Sequence, residues 1–340
     1  MAQEVSTADL RDEGRAKQFY DERYQEGYMQ DWWPDAKKRR VVQVLRSLGL
    51  PETGLAIDFG CGDGVFTDLI HRALPGWEAW GTDLSDVAVG KARARFPACR
   101  FCSSDELARS GQLFDLLFTH HVLEHVSDLP ATLRRMAAMT KDLSAMVHIL
   151  PCGNTGSLER QICELRTDGI DPALDDRFFY EDPGHLRRLT TDRLADHLSP
   201  HGFKLVRGYY AYQYWGAIDY FTGQEPYLVA SLTDLAHARD AGARRRLRRL
   251  VGPLRRVAAC RRMVRRYEKW RYRSRRPLHQ YLAMAVCLPA YVPCKLVDRS
   301  VRRRACNEWD RCRDNPGGSE MYLTFRRGPW PGHSGDERGA

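Results

Sequence analysis

Between Leu55 and Phe118, short apolar runs alternate with segments whose apolar positions recur every three or four residues. The runs "LAIDFG", "EAWGTDL", "CRFCSS" and "FDLLFTH" read as strands buried on both faces, and "VFTDLIHRAL" and "DVAVGKARARF" carry helical spacing between them. A helix, "LPATLRRMAAMT", and a strand, "AMVHILP", continue the alternation. This order predicts a parallel sheet with helices on both faces, a doubly wound, Rossmann-like α/β domain.

The flanks differ. Residues 1–50 form a helical cap, with "AKQFYDERYQ" and "KKRRVVQVLRSLGL" on either side of "YMQDWWP" and Pro51 closing it. The sheet domain occupies 51–214 and ends on the helix "TTDRLADHLSPHGF" and the strand "KLVRGYYAY". Thr190 or Thr191 caps that helix, and Gly202 stops it. Residues 215–320 are a basic helical insertion, 321–328 ("MYLTFRR") the last strand of the sheet, and 329–340 a flexible tail.

Charge sharpens the division. Ala241 to Arg304 holds twenty-one Arg or Lys against Glu268 and Asp298, so this stretch is +19 within a chain of net +9. An acidic body therefore carries a basic attachment. The N-terminus is polar and acidic without an apolar signal core, which predicts a cytoplasmic protein. The ten cysteines show no disulfide-like framework and read as reduced thiols, mostly small buried side chains.

The chemistry concentrates at "AIDFGCGDGVF". Strand, glycine loop and helix together present backbone N–H groups to a polar ligand. A dinucleotide fingerprint would place its third glycine at position 65, which is Val65; here Gly60, Gly62 and Gly64 follow Asp58. An acid so close suits a ligand with an amino group or hydroxyls better than a pyrophosphate. Asp83 ends the next strand, where a carboxylate can accept two ribose hydroxyls, and Asp105 follows the third.

In these motifs, "AIDFGCGDG", "GTDLS", "FCSSDE" and "FDLLFTHHVLEHV", the chain resembles the class I S-adenosylmethionine-dependent methyltransferases of small molecules. The likeness spans about Phe19 to Tyr212 plus the last strand, and implies a seven-stranded sheet with that strand between the fifth and sixth. It implies S-adenosylmethionine as cofactor. Gly60, Cys61, Gly62 and Gly64 would approach its methionine part, Asp58 would order the loop and hold the amino group, and Asp83 would take the ribose. Leu84 would flank the adenine, Asp105 and Glu106 would meet its amine, and His120 would lie near the methionine end. The N-terminal helix would cover the cofactor through Tyr24 or Tyr28.

A hydroxyl acceptor needs a base, for which His185 and His125 are the leading candidates, with Asp182 close enough to orient His185. A nitrogen or carbon acceptor would need less. No set of metal ligands is legible, because Glu124 and His125 are neighbours on an expected helix start and point apart. The expected acceptor is a small or lipid-linked molecule. In the insertion, Arg244 to Arg276 forms a basic helix with an apolar stripe through Leu247, Leu250, Val251, Leu254, Val257, Ala258, Val264 and Tyr267. After it comes "PLHQYLAMAVCLPAYVPCKLV", broken by Pro289 and Pro293, which suggests an interfacial hairpin. Residues 244–297 could so meet an anionic membrane. The alternatives are an N-methyltransferase of a secondary metabolite and an RNA methyltransferase gripping phosphates with these arginines, though no nucleic-acid-binding module is recognisable.

Overall fold

The computed structural model describes residues 9–28, 33–223, 225–272 and 278–328; the expected tail at 329–340 lies outside them. In chain order the elements are α1 (Glu13–Gln25), α2 (Asp35–Arg46), β1 (Gly54–Phe59), α3 (Val65–Ala73), β2 (Trp77–Asp83), α4 (Asp86–Arg95), β3 (Arg100–Ser103) and α5 (Ser104–Ser110). Then follow β4 (Phe114–His120), α6 (Leu129–Ala138), β5 (Thr140–Pro151), α7 (Leu158–Glu164), β6 (Ile170–Asp171), β7 (Arg177–Phe178), α8 (Thr191–Leu198) and β8 (Lys204–Ala211). The chain closes with α9 (Trp215–Gly223), α10 (Leu228–Thr233), α11 (Ala241–Arg271), α12 (Leu278–Cys312) and β9 (Glu320–Arg327).

Seven strands make one sheet in the order β3-β2-β1-β4-β5-β9-β8, parallel from β3 through β5. The last strand sits between β5 and β8, as expected. The central strands carry unbroken apolar runs because helices cover both faces: Ile57, Leu116, Leu117, Phe118, Met146 and Val147 are fully buried. Local caps fix the helix starts. Ser85, Ser103, Asp128 and Thr190 each accept a backbone N–H of the first turn of α4, α5, α6 and α8. One expectation changes here. Residues 121–127 are turn and irregular chain, so Glu124 and His125 do not open a helix; α6 begins at Leu129, as "LPATLRRMAAMT" predicts, with Asp128 as its cap and Pro130 in its first turn.

The chain divides into two compact units. The first comprises Met1–Pro151, Asp182–Gly208 and Met321–Ala340, and holds most of the sheet. The second comprises Cys152–Glu181 and Tyr209–Glu320. The helical unit therefore takes in a stretch, Cys152–Glu181, that the sequence placed with the sheet domain.

Within the helical unit, Leu247, Val251, Leu254, Val257 and Ala258 of α11 are buried against Ile162, Ile218, Phe221, Leu232 and Val301. The α11 stripe is thus protein core and not a lipid-facing surface. Arg261, although buried, is fully engaged: its Nε donates to Asp298 at 2.9 Å, Nη1 donates to Asp219 O and Thr222 Oγ1, and Nη2 donates to the Asp219 carboxylate. The segment expected to be a broken hairpin is a single helix, α12, with Pro289 and Pro293 inside it. Each proline removes one intrahelical donor but leaves the rest of the ladder available. Outward positions in its first half are apolar: Leu282, Val286, Leu288, Val292 and Leu296 are all exposed, Val286 by 79%.

Candidate active site

The chain leaves β1 through Gly60, Gly62 and Gly64 at φ of +77°, +53° and +84°, a region that glycine enters without steric cost. The N–H groups of Gly60 and Cys61 both donate to Thr82 O, at 2.8 and 2.9 Å, which pins the loop to the end of β2. Asp83 completes the tie. One carboxylate oxygen accepts Gly62 N–H at 2.8 Å and the other accepts Ser85 N–H at 2.9 Å. Asp58, buried at the end of β1, accepts the Thr67 hydroxyl at 2.7 Å. Burial pushes its carboxyl up to about 7, and burial raises Asp83 as well. Two carboxylates crowded in this way around a bare loop suit a ligand that brings positive charge and hydroxyl donors. S-adenosylmethionine, with its sulfonium, ammonium and ribose, has that composition.

Helix α1 lies against this loop. A β-carbon on Gly62 would stand 2.6 Å from the Tyr24 hydroxyl. Asp21 accepts the Ser85 hydroxyl at 2.5 Å, and Lys91 Nζ donates to Tyr24 O. Below the loop, Arg95 pairs with Asp63 at 2.8 Å. Cys61 is buried, and burial raises its thiol well above its ordinary range, so it acts as a small packed side chain. Leu84 is half-buried beside Asp83. Asp105 and Glu106 open α5; Glu106 accepts Ser103 N–H and the Arg93 guanidinium, completing a capping box.

At the end of β4, His120 stacks on Phe66 with ring centroids 3.9 Å apart, and Trp33 meets it edge-on at 4.4 Å. Burial holds its imidazole neutral. Among the described residues its Nε2 has no hydrogen-bond partner. His121, at φ +54°, accepts Lys37 Nζ on Nε2 at 3.0 Å and donates from Nδ1 to Glu124 Oε1 at 2.8 Å.

The turns at 121–127 are stapled to the segment 182–188. Leu186 N–H donates to Glu124 O at 2.7 Å, and the Arg187 guanidinium donates to the carbonyls of Leu123, Val126 and Ser127. Asp182 receives the Arg23 fork at 3.1 and 3.0 Å together with Gly184 N–H, which shapes the turn carrying His185. These ties bring His125 and His185 together edge to face, with centroids 4.7 Å apart. His125 Nδ1 lies 2.8 Å from Gly184 O and 3.0 Å from Tyr20 Oη. Burial, then His185, lowers His125 to about 4. Burial alone would raise Glu124, but His121, His125 and His185 outweigh it and hold the carboxyl at about 2. Because 121–127 is not helical, Glu124 and His125 converge instead of pointing apart, and with His185 they offer ligand atoms within 4.8 Å of one another. Tyr20, Arg23, Asp21 and Glu124 belong to this region and were not singled out as site residues from the sequence. Only the "LEH" neighbours of His125 hinted at Glu124.

The chain matches the methyltransferase domain family over residues 24–207. It is 33% identical over 119 residues to a trans-aconitate 2-methyltransferase of Variovorax paradoxus, covering 32% of this chain and 46% of that one. Against a trans-aconitate 2-methyltransferase of Yersinia pestis it is 30% identical over 110 residues, covering 30% and 43%. The chain thus spans less than half the length of these curated relatives. A solved magnesium protoporphyrin IX methyltransferase from Synechocystis, with S-adenosylhomocysteine bound, is 18% identical with a TM-score of 0.42, covering 58% of this chain and 92% of that one. Family match, strand order and glycine loop agree: this chain belongs to the methyltransferase domain family.

Proposed function

We propose that this enzyme methylates a hydroxyl oxygen of a small-molecule acceptor, and that His125 and His185 handle the acceptor's proton. The observation that carries this reading is the meeting of the two imidazoles beside a buried carboxylate, in the same unit as the glycine loop. S-adenosylmethionine supplies an electrophilic methyl on sulfur. The protein's part is to hold the acceptor oxygen in line, exclude water and remove a proton. Gly184 O fixes the hydrogen of His125 on Nδ1, which leaves the Nε2 lone pair as acceptor. On the cofactor side, Gly60, Cys61, Gly62 and Gly64 border the methionine part and Asp58 holds the amino group. Asp83 takes the ribose, Leu84 flanks the adenine, and His120 lies at the methionine end. With Glu106 engaged in its capping box, Asp105 is the freer carboxylate for the adenine amine. The relatives' names point to small organic acceptors. Mass analysis of the product formed from labelled S-adenosylmethionine and an extract of the parent cell tests the reading. A methyl on nitrogen or on RNA would overturn it.

A second element of the reading concerns where the acceptor resides. The helical unit docks on an anionic membrane through α12, which favours a lipid-linked or membrane-soluble acceptor. No charged residue occurs from Leu278 to Cys294, and the outward side chains described in that stretch are apolar. By length and composition α12 is the one described helix fit to cross a membrane. Exposed arginines flank it, among them Arg262, Arg265 and Arg266 on α11 and Arg299, Arg302 and Arg303 on α12 itself. Apolar surface ringed by cations complements the interface of an anionic bilayer.

A further inference from the structure

We infer that Glu124, His125 and His185 form a binding site for one divalent transition-metal ion. The inference rests on the methyltransferase reading only in placing the ion beside the acceptor. Three observations carry it. The three side chains come from two segments far apart in sequence, yet their ligand atoms lie within 4.8 Å of one another. Glu124 is 1% exposed, and its Oε2, alone among its oxygens, has no hydrogen-bond partner in the described structure. A buried carboxylate oxygen left unsatisfied is costly unless a proton or cation meets it. Third, the outer groups already stand where metal ligands need them. Gly184 O, which can only accept, holds the hydrogen on His125 Nδ1 and turns Nε2 into the donor atom. His121 donates from Nδ1 to Glu124 Oε1 and so orients the carboxylate, while Lys37 holds His121 in that tautomer.

Two imidazoles and one carboxylate suit zinc, manganese, iron or cobalt better than calcium, which prefers an all-oxygen shell. Three protein ligands leave coordination positions open, as at catalytic metal sites. An ion there would lower the proton affinity of a bound hydroxyl, which serves the same proton removal that the two imidazoles carry out in the ion-free site.

The full-length protein is stripped with a chelator and titrated with Co2+ in visible absorption, and with Zn2+ and Mn2+ by calorimetry. The expected result is one equivalent bound, a d–d band of nitrogen and oxygen ligation, and no thiolate charge-transfer band. Glu124→Gln and His185→Ala should each weaken Co2+ binding by at least about tenfold while S-adenosylmethionine affinity is kept. His121→Asn should weaken it by about 10–100-fold through the carboxylate it orients. Cys306→Ser, at an exposed thiol on α12, should change nothing. Failure of the unsubstituted protein to bind Co2+ overturns the site even where a variant fails to fold. A protein that binds S-adenosylmethionine but no ion, or whose Co2+ binding is indifferent to Glu124→Gln and His185→Ala, overturns the site and leaves the methyltransferase reading standing.

Discussion

The Tyr24 hydroxyl stands 2.6 Å from the place a β-carbon on Gly62 would occupy, so helix α1 and the glycine loop are fitted to each other. Gly62→Ala must therefore both shift Tyr24 and hold a side chain at φ +53°. It should lower S-adenosylmethionine affinity at least about tenfold and cost roughly 1–2 kcal/mol of stability. Asp83→Ala should cost roughly 2–3 kcal/mol of affinity by removing charge-assisted bonds and the anchor of Gly62 N–H. Calorimetry reads both, and unchanged affinity would place the cofactor elsewhere.

Catalysis should separate from binding at the imidazole pair. His185→Ala is expected to lower kcat by about 10²–10⁴ and leave cofactor affinity intact. Near-normal turnover would remove His185 from the chemistry.

Asp58 gives a pH signature. Its folded carboxyl titrates at about 7 against an ordinary 3.8, so the native state holds the proton more tightly than the unfolded chain. Its contribution is most favourable below 3.8 and is lost as pH rises through about 7, an effect on the order of 4 kcal/mol. The half-buried His125 and the buried His148, lowered to about 4 and about 3, act oppositely and lose stability as pH falls below their ordinary 6.5. Asp58→Asn isolates the first term. In urea unfolding of the apoprotein, its advantage over the unsubstituted chain should grow from pH 5 to pH 8. A difference that stays flat with pH contradicts the assignment.

For α12, the purified protein should bind vesicles containing anionic lipid, ignore zwitterionic ones and release as salt rises. Replacing the exposed Leu282, Val286 and Leu296 with serine should abolish binding without lowering the melting temperature, since none of the three is core. Vesicle binding that survives the three serines would place the contact on the arginines alone.

The buried network at Arg261 should dominate the stability of the helical unit. Asp298→Ala leaves a buried guanidinium short of its partner and is expected to cost about 3–5 kcal/mol. Circular dichroism melts would show it, and a loss under 1 kcal/mol would mean that Asp219 compensates.

How much of this was legible depended on how local the cause was. The sheet strands were readable because burial on both faces writes continuous apolar runs, and the cap of α8 was readable to within one residue, Thr190 or Thr191, because its partner is three residues on. The glycine loop likewise announced itself in five residues, Gly60 to Gly64. The convergence of Glu124, His125 and His185 was not readable. It depends on residues 121–127 staying irregular and on Arg187 reaching back to three carbonyls, neither of which leaves a periodic trace. The α11 stripe was seen, but what covers it was not, because an amphipathic face looks the same whether protein or lipid lies against it. The long apolar stretch with two prolines read as broken, since propensity cannot anticipate what the rest of a ladder will bear.

The position of β9 sets an order of events during synthesis. Strands β5 and β8 are complete once Ala211 has emerged, but the strand that joins them begins only at Glu320. At about 5–20 residues per second the ribosome leaves that gap open for roughly 5–20 s. Two strand borders stay unpaired meanwhile, a standing invitation to wrong partners. The side chains that close the gap, Tyr322, Leu323 and Phe325, are among the most deeply enclosed in the molecule. Maturation of the catalytic sheet thus waits on translation of the whole helical unit, and a nonsense codon anywhere within that unit would yield a sheet that never seals.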